Sequence, residues 1–309
     1  MTTLLVGRGL LGSAVARRLL ADRVDLRTVE VPWADADAAL EALHAVAAAV
    51  AAEAPDWRLV WCAGSGTVGA GAEHLAGEVE LFRRFCADLT PAPGLMFLAS
   101  SAGGAYGGSP DEAPYDEHSR AVAGSAYGAA KLAMEEIALG LRNAGTRVLV
   151  GRFSNLYGPG QNLEKPQGLI SQICRAQARR EALGVFVSFD TLRDYLYVDD
   201  AAAMVSAAMD RSAAEPAGTT RLKVFASGRS STIGMVVHEA NRAFRRPCRV
   251  VQRQAHDHGQ GRDLRLRSAV WTDLDTLART PLALGIRLTW EDVSTRRNHR
   301  DLAREAALR

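Results

Sequence analysis

Short apolar, β-branched runs alternate with longer alanine-rich stretches along the first half of the chain. Residues 3–6 read as a strand and 10–21 as a helix; 24–31 as a strand and 36–52 as a helix. The same rhythm continues with a strand at 58–63, a helix at 73–89, a strand at 95–100, a helix at 121–144 and a strand at 147–153. Strands separated by helices of this length imply right-handed crossovers, a parallel sheet and a doubly wound α/β fold. Beyond Phe153 the pattern loosens. Residues 157–168 are rich in Gly, Pro, Asn and Gln, as in a loop at the carboxyl edge of a sheet; 193–198 and 222–227 return to strand character. From Ser230 onward the pattern predicts short helices and polar loops, making a smaller C-terminal lobe.

Composition narrows the classes. A chain of 309 residues that is 48% hydrophobic buries a large core. Its net charge of +2 gives no field that would draw it to nucleic acid or an anionic membrane. Basic residues gather between Arg242 and Arg309, but Asp257, Asp263, Asp273, Asp275, Glu291 and Asp292 interrupt them, so a solvated surface is expected. Cys62, Cys86, Cys174 and Cys248 lack metal or disulfide spacing; Cys62 and Cys86 read as core thiols. With no apolar run near the ~18 residues a bilayer requires, and no positively charged leader, a cytoplasmic protein is expected. His256 and His258 lack a third ligand, so no metal is expected.

Gly7-Arg8-Gly9-Leu10-Leu11-Gly12 follows a predicted strand and opens a predicted helix. The first glycine allows a tight turn, the second a close approach of pyrophosphate, and the third close helix–strand packing; the helix N-terminus offers unpaired N–H groups. An acidic residue about 20 positions later is expected on the adenosine ribose, and Glu30 fits, though it also reads as a strand-end surface charge. A carboxylate there repels a 2′-phosphate and favours NAD, whereas Arg8 would suit NADP. Ala63 and Gly64, at the end of the third strand, are further candidates for cofactor contact.

Tyr127 and Lys131 stand four apart on a predicted helix and so share one face. The chain has only three lysines, Lys131, Lys165 and Lys223, which makes this placement informative. Bringing a phenol from its ordinary value near 10 to about 7 takes roughly 4 kcal/mol of preferential phenolate stabilisation, which a fixed cation supplies. The pair thus reads as a general base for a hydroxyl.

GRGLLG, SSAGGAYGG (100–108), YGAAK, RFSNLYGPGQ (152–161) and RDYLYVDD (193–200) together resemble the extended short-chain dehydrogenase/reductases, in the NAD-dependent nucleotide-sugar epimerase/dehydratase family. The likeness runs from residue 1 to about 270. It implies a Rossmann domain at 1–155, with the chain returning at about 195–228, and a smaller substrate-binding lobe at 156–194 and 229–309. Tyr127 becomes the catalytic acid/base and Lys131 the residue that holds it and the nicotinamide ribose. The hydroxyl that contacts the reacting oxygen is assigned to Ser101, with Ser100 as the alternative, because Ala102 fills the usual position. Asn155 and Arg193 are implied at the substrate's diphosphate and Arg262 near its nucleoside. Asp199 and Asp200 are expected to cap the helix at 201–209.

The chain departs from the family between its second and third strands, where one helix stands in place of a longer insertion; Trp33 and Asp35 are then candidates for the adenine pocket. The expected reaction is epimerisation of a nucleotide-diphosphate sugar, at C4, through a keto-sugar. A ketoreductase using NAD(P)H is the alternative, and a non-enzymatic nicotinamide sensor a third reading. Ala102-Gly103-Gly104 lacks the acid/base pair that dehydration requires. Relatives imply a homodimer built on 73–89 and 121–144.

Overall fold

The computed structural model describes residues 2–64, 66, 71–165, 167–253 and 261–307, with 298–307 as backbone only. Its first half follows the alternation in the sequence: β1 (Thr2–Val6), α1 (Leu10–Ala21), β2 (Asp25–Thr28), α2 (Ala36–Glu53), β3 (Arg58–Trp61) and α3 (Ala72–Ala87). β4 (Leu95–Ser101), the short α4 (Ala102–Tyr106), α5 (Ala126–Gly140) and β5 (Arg147–Phe153) complete it. With β9 (Thr220–Phe225), these strands form one parallel sheet in the order β2-β1-β3-β4-β5-β9.

Strand residues point alternately to the two faces, so neighbours in sequence enter different cores. Leu4, Val6, Leu59, Trp61, Met96, Leu98, Val148 and Val150 meet α2, α3 and α5. Leu5, Val60, Phe97 and Leu149 instead meet α1 and α7 (Val198–Ala213). Both faces are therefore covered, which explains near-continuous apolar strands in place of alternating ones. The sheet ends at β2, four mostly exposed residues, and α2 is the single element between β2 and β3, as the spacing predicted.

The remaining chain builds a second layer beside the sheet's carboxyl edge. β6 (Asn155–Tyr157), β8 (Leu192–Tyr197), β10 (Ser230–Thr232) and β12 (Asp263–Leu264) form a small sheet centred on β8. The 193–198 strand thus belongs to this second sheet, and 222–227 matches the return of β9 to the first. β7 (Leu183–Val185) and β11 (Val250–Gln252) pair as a ribbon. Tyr157, Tyr195, Tyr197, Ile173, Val236 and Ile286 share a core with α6 (Leu169–Arg179), α8 (Ile233–Phe244) and α9 (Leu282–Ala307). α9 runs for 26 residues where short helices were expected. Its Ile286 and Val293, seven apart, recur on one face and carry a polar helix onto α6 and α8.

Asp199 and Asp200 do not cap α7. The helix begins at Val198, so both carboxylates sit in its first turn. Asp199 pairs with Arg17 at 2.7 Å, and Asp200 accepts from Thr280 N–H and Oγ1, tying α7 to α1 and to the approach to α9. All four cysteines are free thiols; Cys86 and Cys174 are buried, Cys62 and Cys248 partly so. Lys223 is fully buried, its ammonium donating to Ser268 Oγ, Val270 O and Asp275 Oδ1, which pins the 268–275 segment onto β9. Among the described residues no helix is long and apolar enough to cross a membrane, and no group of three or more ligands is arranged for a metal. His256 and His258 lie outside the described residues.

Candidate active site

The chain turns from β2 to β3 across β1, so strand order reverses between β1 and β3, the place where open α/β sheets take ligands at the carboxyl ends of their strands. The candidate residues converge on that edge. Gly7 leaves β1 with φ +92°, and a Cβ there would stand 2.3 Å from Ala63 N. A Cβ on Gly12 would stand 1.9 Å from Gly7 O, so α1 can rest this closely on the turn only with glycine at both positions. Gly9 is different: nothing lies within 4 Å of its Cβ position. It is the N-cap of α1, and no side chain caps that helix. A glycine cradle open on one side, facing backbone N–H groups without side-chain partners, fits a dinucleotide pyrophosphate. Arg8 beside it and Glu30 beyond β2 are both exposed. Trp33 is 52% exposed and stands edge-on to buried Trp61, ring centroids 6.5 Å apart; Asp35 is spent as the N-cap of α2, accepting from Asp37 and Ala38.

Ser125 starts α5 by accepting the Gly128 N–H at 3.1 Å, so the helix begins five residues later than the alanine pattern suggested. Tyr127 and Lys131 then share a face, with the Lys131 ammonium 5.9 Å from the centre of the Tyr127 ring. Lys131 is buried and its Nζ lies 3.1 Å from the Cβ position of Gly64. The post-β3 loop of Ala63 and Gly64 therefore meets the pair directly. Burial pushes the neighbouring Cys62 thiol up to about 12, although Lys131 pulls the other way.

Ser101 ends β4 and caps α4, accepting the Gly104 N–H at 3.1 Å. Gly104 and Gly128 bring α4 against α5: a Cβ on Gly104 would lie 3.2 Å from Gly128 Cα and 3.4 Å from Ser101 Oγ. That contact sets Ser101 beside the turn bearing Tyr127. Ser100 points elsewhere. Its hydroxyl donates to Glu135 Oε1 at 2.5 Å, inside a buried network in which Arg152 grips both Glu135 oxygens and donates to Tyr106 Oη at 3.0 Å. Burial pushes the Arg152 guanidinium down, but Glu135 and Tyr106 outweigh it and hold it above its ordinary value. The Ser100 hydroxyl is thus engaged in the core, whereas the Ser101 hydroxyl is engaged at the cap of α4.

Beyond Ser101, the expected substrate residues are Asn155 in β6, Arg193 in β8 and Arg262 just before β12. Asn155 donates to Asp194 O at 2.9 Å. Arg193 is buried and donates to Leu192 O; burial lowers its affinity for the proton, and among the described residues no carboxylate forms an ion pair with it. Arg262 is exposed and pairs with Asp190, while Asp263 pairs with Arg265.

Two participants escaped sequence reasoning. Glu135 extends the Tyr127–Lys131 spacing by four more residues, a signal that was visible. Glu78 of α3 accepts the Gly66 N–H at 3.0 Å and reaches the same loop as Lys131. No local spacing announces that contact.

A family model described as the NAD dependent epimerase/dehydratase family matches residues 4–221. A curated protein of Methanocaldococcus jannaschii, provisionally named as a UDP-glucose 4-epimerase, is 34% identical over 125 residues; the match spans 40% of this chain and 39% of that protein's length. The fold is similar to that of a Thermotoga maritima UDP-glucose 4-epimerase solved with UDP-glucose, at a TM-score of 0.77 and 20% identity over 96% of this chain and 99% of that one. It is also similar to a Thermus thermophilus UDP-glucose 4-epimerase in complex with NAD, at 0.73 and 18% identity over 95% and 99%.

Proposed function

The chain belongs to the NAD-dependent epimerase/dehydratase family, and on that premise we propose that it epimerises a nucleotide-diphosphate sugar, at C4, through a transient keto-sugar. The observation that carries this reading is the convergence of Tyr127, Lys131 and Gly64 beside the glycine turn. NAD held on that turn by the α1 N-terminus supplies reversible hydride acceptance.

The chain's own residues supply the rest. Tyr127 Oη takes the proton from the sugar hydroxyl and later returns it. Lys131, buried on the same helix face, stabilises the phenolate and binds the nicotinamide ribose. Ser101 Oγ, fixed by its own capping bond, steadies the reacting oxygen. Arg193 takes the diphosphate. A buried guanidinium that feels the Asp263 charge but forms no ion pair with it among the described residues is suited to a phosphate anion, which would bring charge-bearing acceptors into bonding distance. Asn155 and Arg262 flank it on the second sheet. α4 offers Ala102, Gly103 and Gly104 after Ser101, with no acid or base for dehydration. α3 and α5 lie side by side, which supports a homodimer assembled through these helices; light scattering after size exclusion tests it.

The deciding experiment is turnover of UDP-glucose and related nucleotide sugars without added reductant. Product is expected to form with cofactor retained on the protein. Tyr127→Phe should keep the ultraviolet signature of bound dinucleotide and lose at least a hundredfold in kcat, within the ordinary range for a general acid/base. Near-normal activity of that variant rejects the assignment, and consumption of external NADPH replaces the epimerase with a ketoreductase.

A further inference from the structure

Between Arg242 and Arg253 the chain places five arginines and no carboxylate; the acids that interrupt the basic C-terminal stretch begin only beyond it. The fold gathers that charge. His238, Asn241, Arg242 and Arg245 recur at intervals of three and four, so they share one face of α8 and its C-cap. Phe244 anchors this end of the helix, buried with its ring 4.6 Å from that of Trp290. The chain reverses at Arg245, φ +53°, and Asn241 Oδ1 fastens the turn by accepting the Cys248 N–H at 2.6 Å. Arg246 and Pro247 follow in that turn, and these six residues line an open concavity of about 290 Å³. Arg242 is partly committed, donating to both Glu239 oxygens at 3.2 Å. Arg245 and Arg246 are exposed, and among the described residues their side chains have no partner. More charge comes from α6, which ends at Arg179 and Arg180. β7 and β11 pair in parallel from Leu183 and Val250, so the helix ends that lead into them lie at the same end of the lobe. Arg179 is paired with Glu164 at 3.5 Å; Arg180 and Arg249 are exposed, with Glu181 the carboxylate among them.

We propose that this concavity binds a small phosphate-bearing anion, at a site separate from that of the nucleotide sugar. The carbonyl end of a helix attracts arginines, which accounts for cations at the end of α8 but not for a hollow lined by two of them without acceptors. A guanidinium fork takes phosphate oxygens two at a time, and neighbouring forks suit an anion that offers several. The volume lies at the low end of the roughly 300–1,000 Å³ of small-molecule sites, so it fits a phosphate or diphosphate with little attached. The assigned substrate residues stand at the other end of α8. The helix starts directly after β10, whose Ser231 pairs with Arg193, and its twelve residues separate the two ends by roughly 18 Å. The site therefore does not depend on the assigned reaction.

Inorganic pyrophosphate and orthophosphate are titrated calorimetrically into the protein, into Arg193→Met, and into the pair Arg245→Gln with Arg246→Gln, each checked for folding by circular dichroism. For at least one of the two anions, a binding component is expected that Arg193→Met retains and the glutamine pair weakens about tenfold or more, the scale of lost charge-assisted hydrogen bonds. Arg245→Lys with Arg246→Lys keeps both charges without the forks and should bind severalfold less tightly than the parent. Equal binding by the lysine pair means diffuse attraction, an adventitious ion only, and overturns the proposal. So does a titration that the glutamine pair leaves unmoved. Vesicles of phosphatidic acid in phosphatidylcholine, against phosphatidylcholine alone, distinguish the source of the phosphate: co-sedimentation lost in the glutamine pair assigns it to a lipid headgroup, and its absence to a soluble anion. Should no nucleotide sugar turn over, the assigned function fails, while these titrations still decide what the concavity holds.

Discussion

Replacing Glu135 by leucine removes the carboxylate that both Arg152 and Ser100 depend on. Glu135 and Arg152 are 6% and 7% exposed and meet at 2.6 Å, with further bonds at 3.0 and 3.2 Å. Without Glu135 the guanidinium stays buried with Tyr106 Oη as its remaining side-chain partner. Removing one member of a buried pair costs about 3–5 kcal/mol, and the surviving Tyr106 bond places this site near 3. Urea denaturation followed by circular dichroism measures it. The double replacement, Glu135→Leu with Arg152→Met, should recover at least about 2 kcal/mol of that loss, since no charge is then buried alone. A single variant within 1 kcal/mol of the parent, or a double variant whose losses simply add, would refute the claim that this pair holds α5 to β5. The consequence reaches the site as well: Ser100 adjoins Ser101, and α5 bears Tyr127 and Lys131, so kcat should fall more than substrate affinity in the single variant.

Other outcomes follow from single contacts. Gly12→Ala forces a methyl against Gly7 O and should cost about 1–3 kcal/mol of stability as well as NAD affinity. Gly9→Ala meets no protein atom, so calorimetry should find normal stability but weakened NAD binding, and unchanged binding would remove the turn from the cofactor site. Arg193→Met should raise the KM for nucleotide sugar about tenfold or more, the scale of charge-assisted hydrogen bonds, with a smaller change in kcat; an unaltered KM ends its diphosphate role. Trp33→Ala should weaken NAD severalfold if the exposed ring covers the adenine, an effect of about 1 kcal/mol, and an identical Kd assigns the ring to packing on Trp61 alone.

The parallel sheet was legible because each strand is buried on both faces and each crossover helix is long enough to show its period. β2 was read too long. Val29 and Val31 are apolar and pack on the core, yet the pairing stops at Thr28 because an edge strand has one neighbour to hold it. α5 was read too early: alanines at 121, 123 and 126 look helical, but the Ser125 cap fixes the start, and Gly124 must lie against Gly107, where a Cβ would stand 2.7 Å from its carbonyl carbon. The Tyr127–Lys131 pair was legible because local helix geometry alone brings it together. The Glu78–Gly66 bond was not, since it joins a helix to a loop twelve residues away, and the still longer Ser100–Glu135 bond that separates Ser100 from Ser101 was not either.

At the border of the sheet, β2 has one row of backbone donors and acceptors facing outward. Such a row is a template on which a second chain can add a strand. Here that template is only four residues long, and its side chains oppose recruitment: Asp25 and Arg27 project charge, and Arg27 is tied to Asp25 at 3.3 Å and to Glu53 at 3.0 Å. Swapping both for valine would remove these ion pairs and the Thr2–Asp25 hydrogen bond, and should make the protein prone to aggregate through this border. A border strand this short and this charged is a poor template for pairing with a second chain.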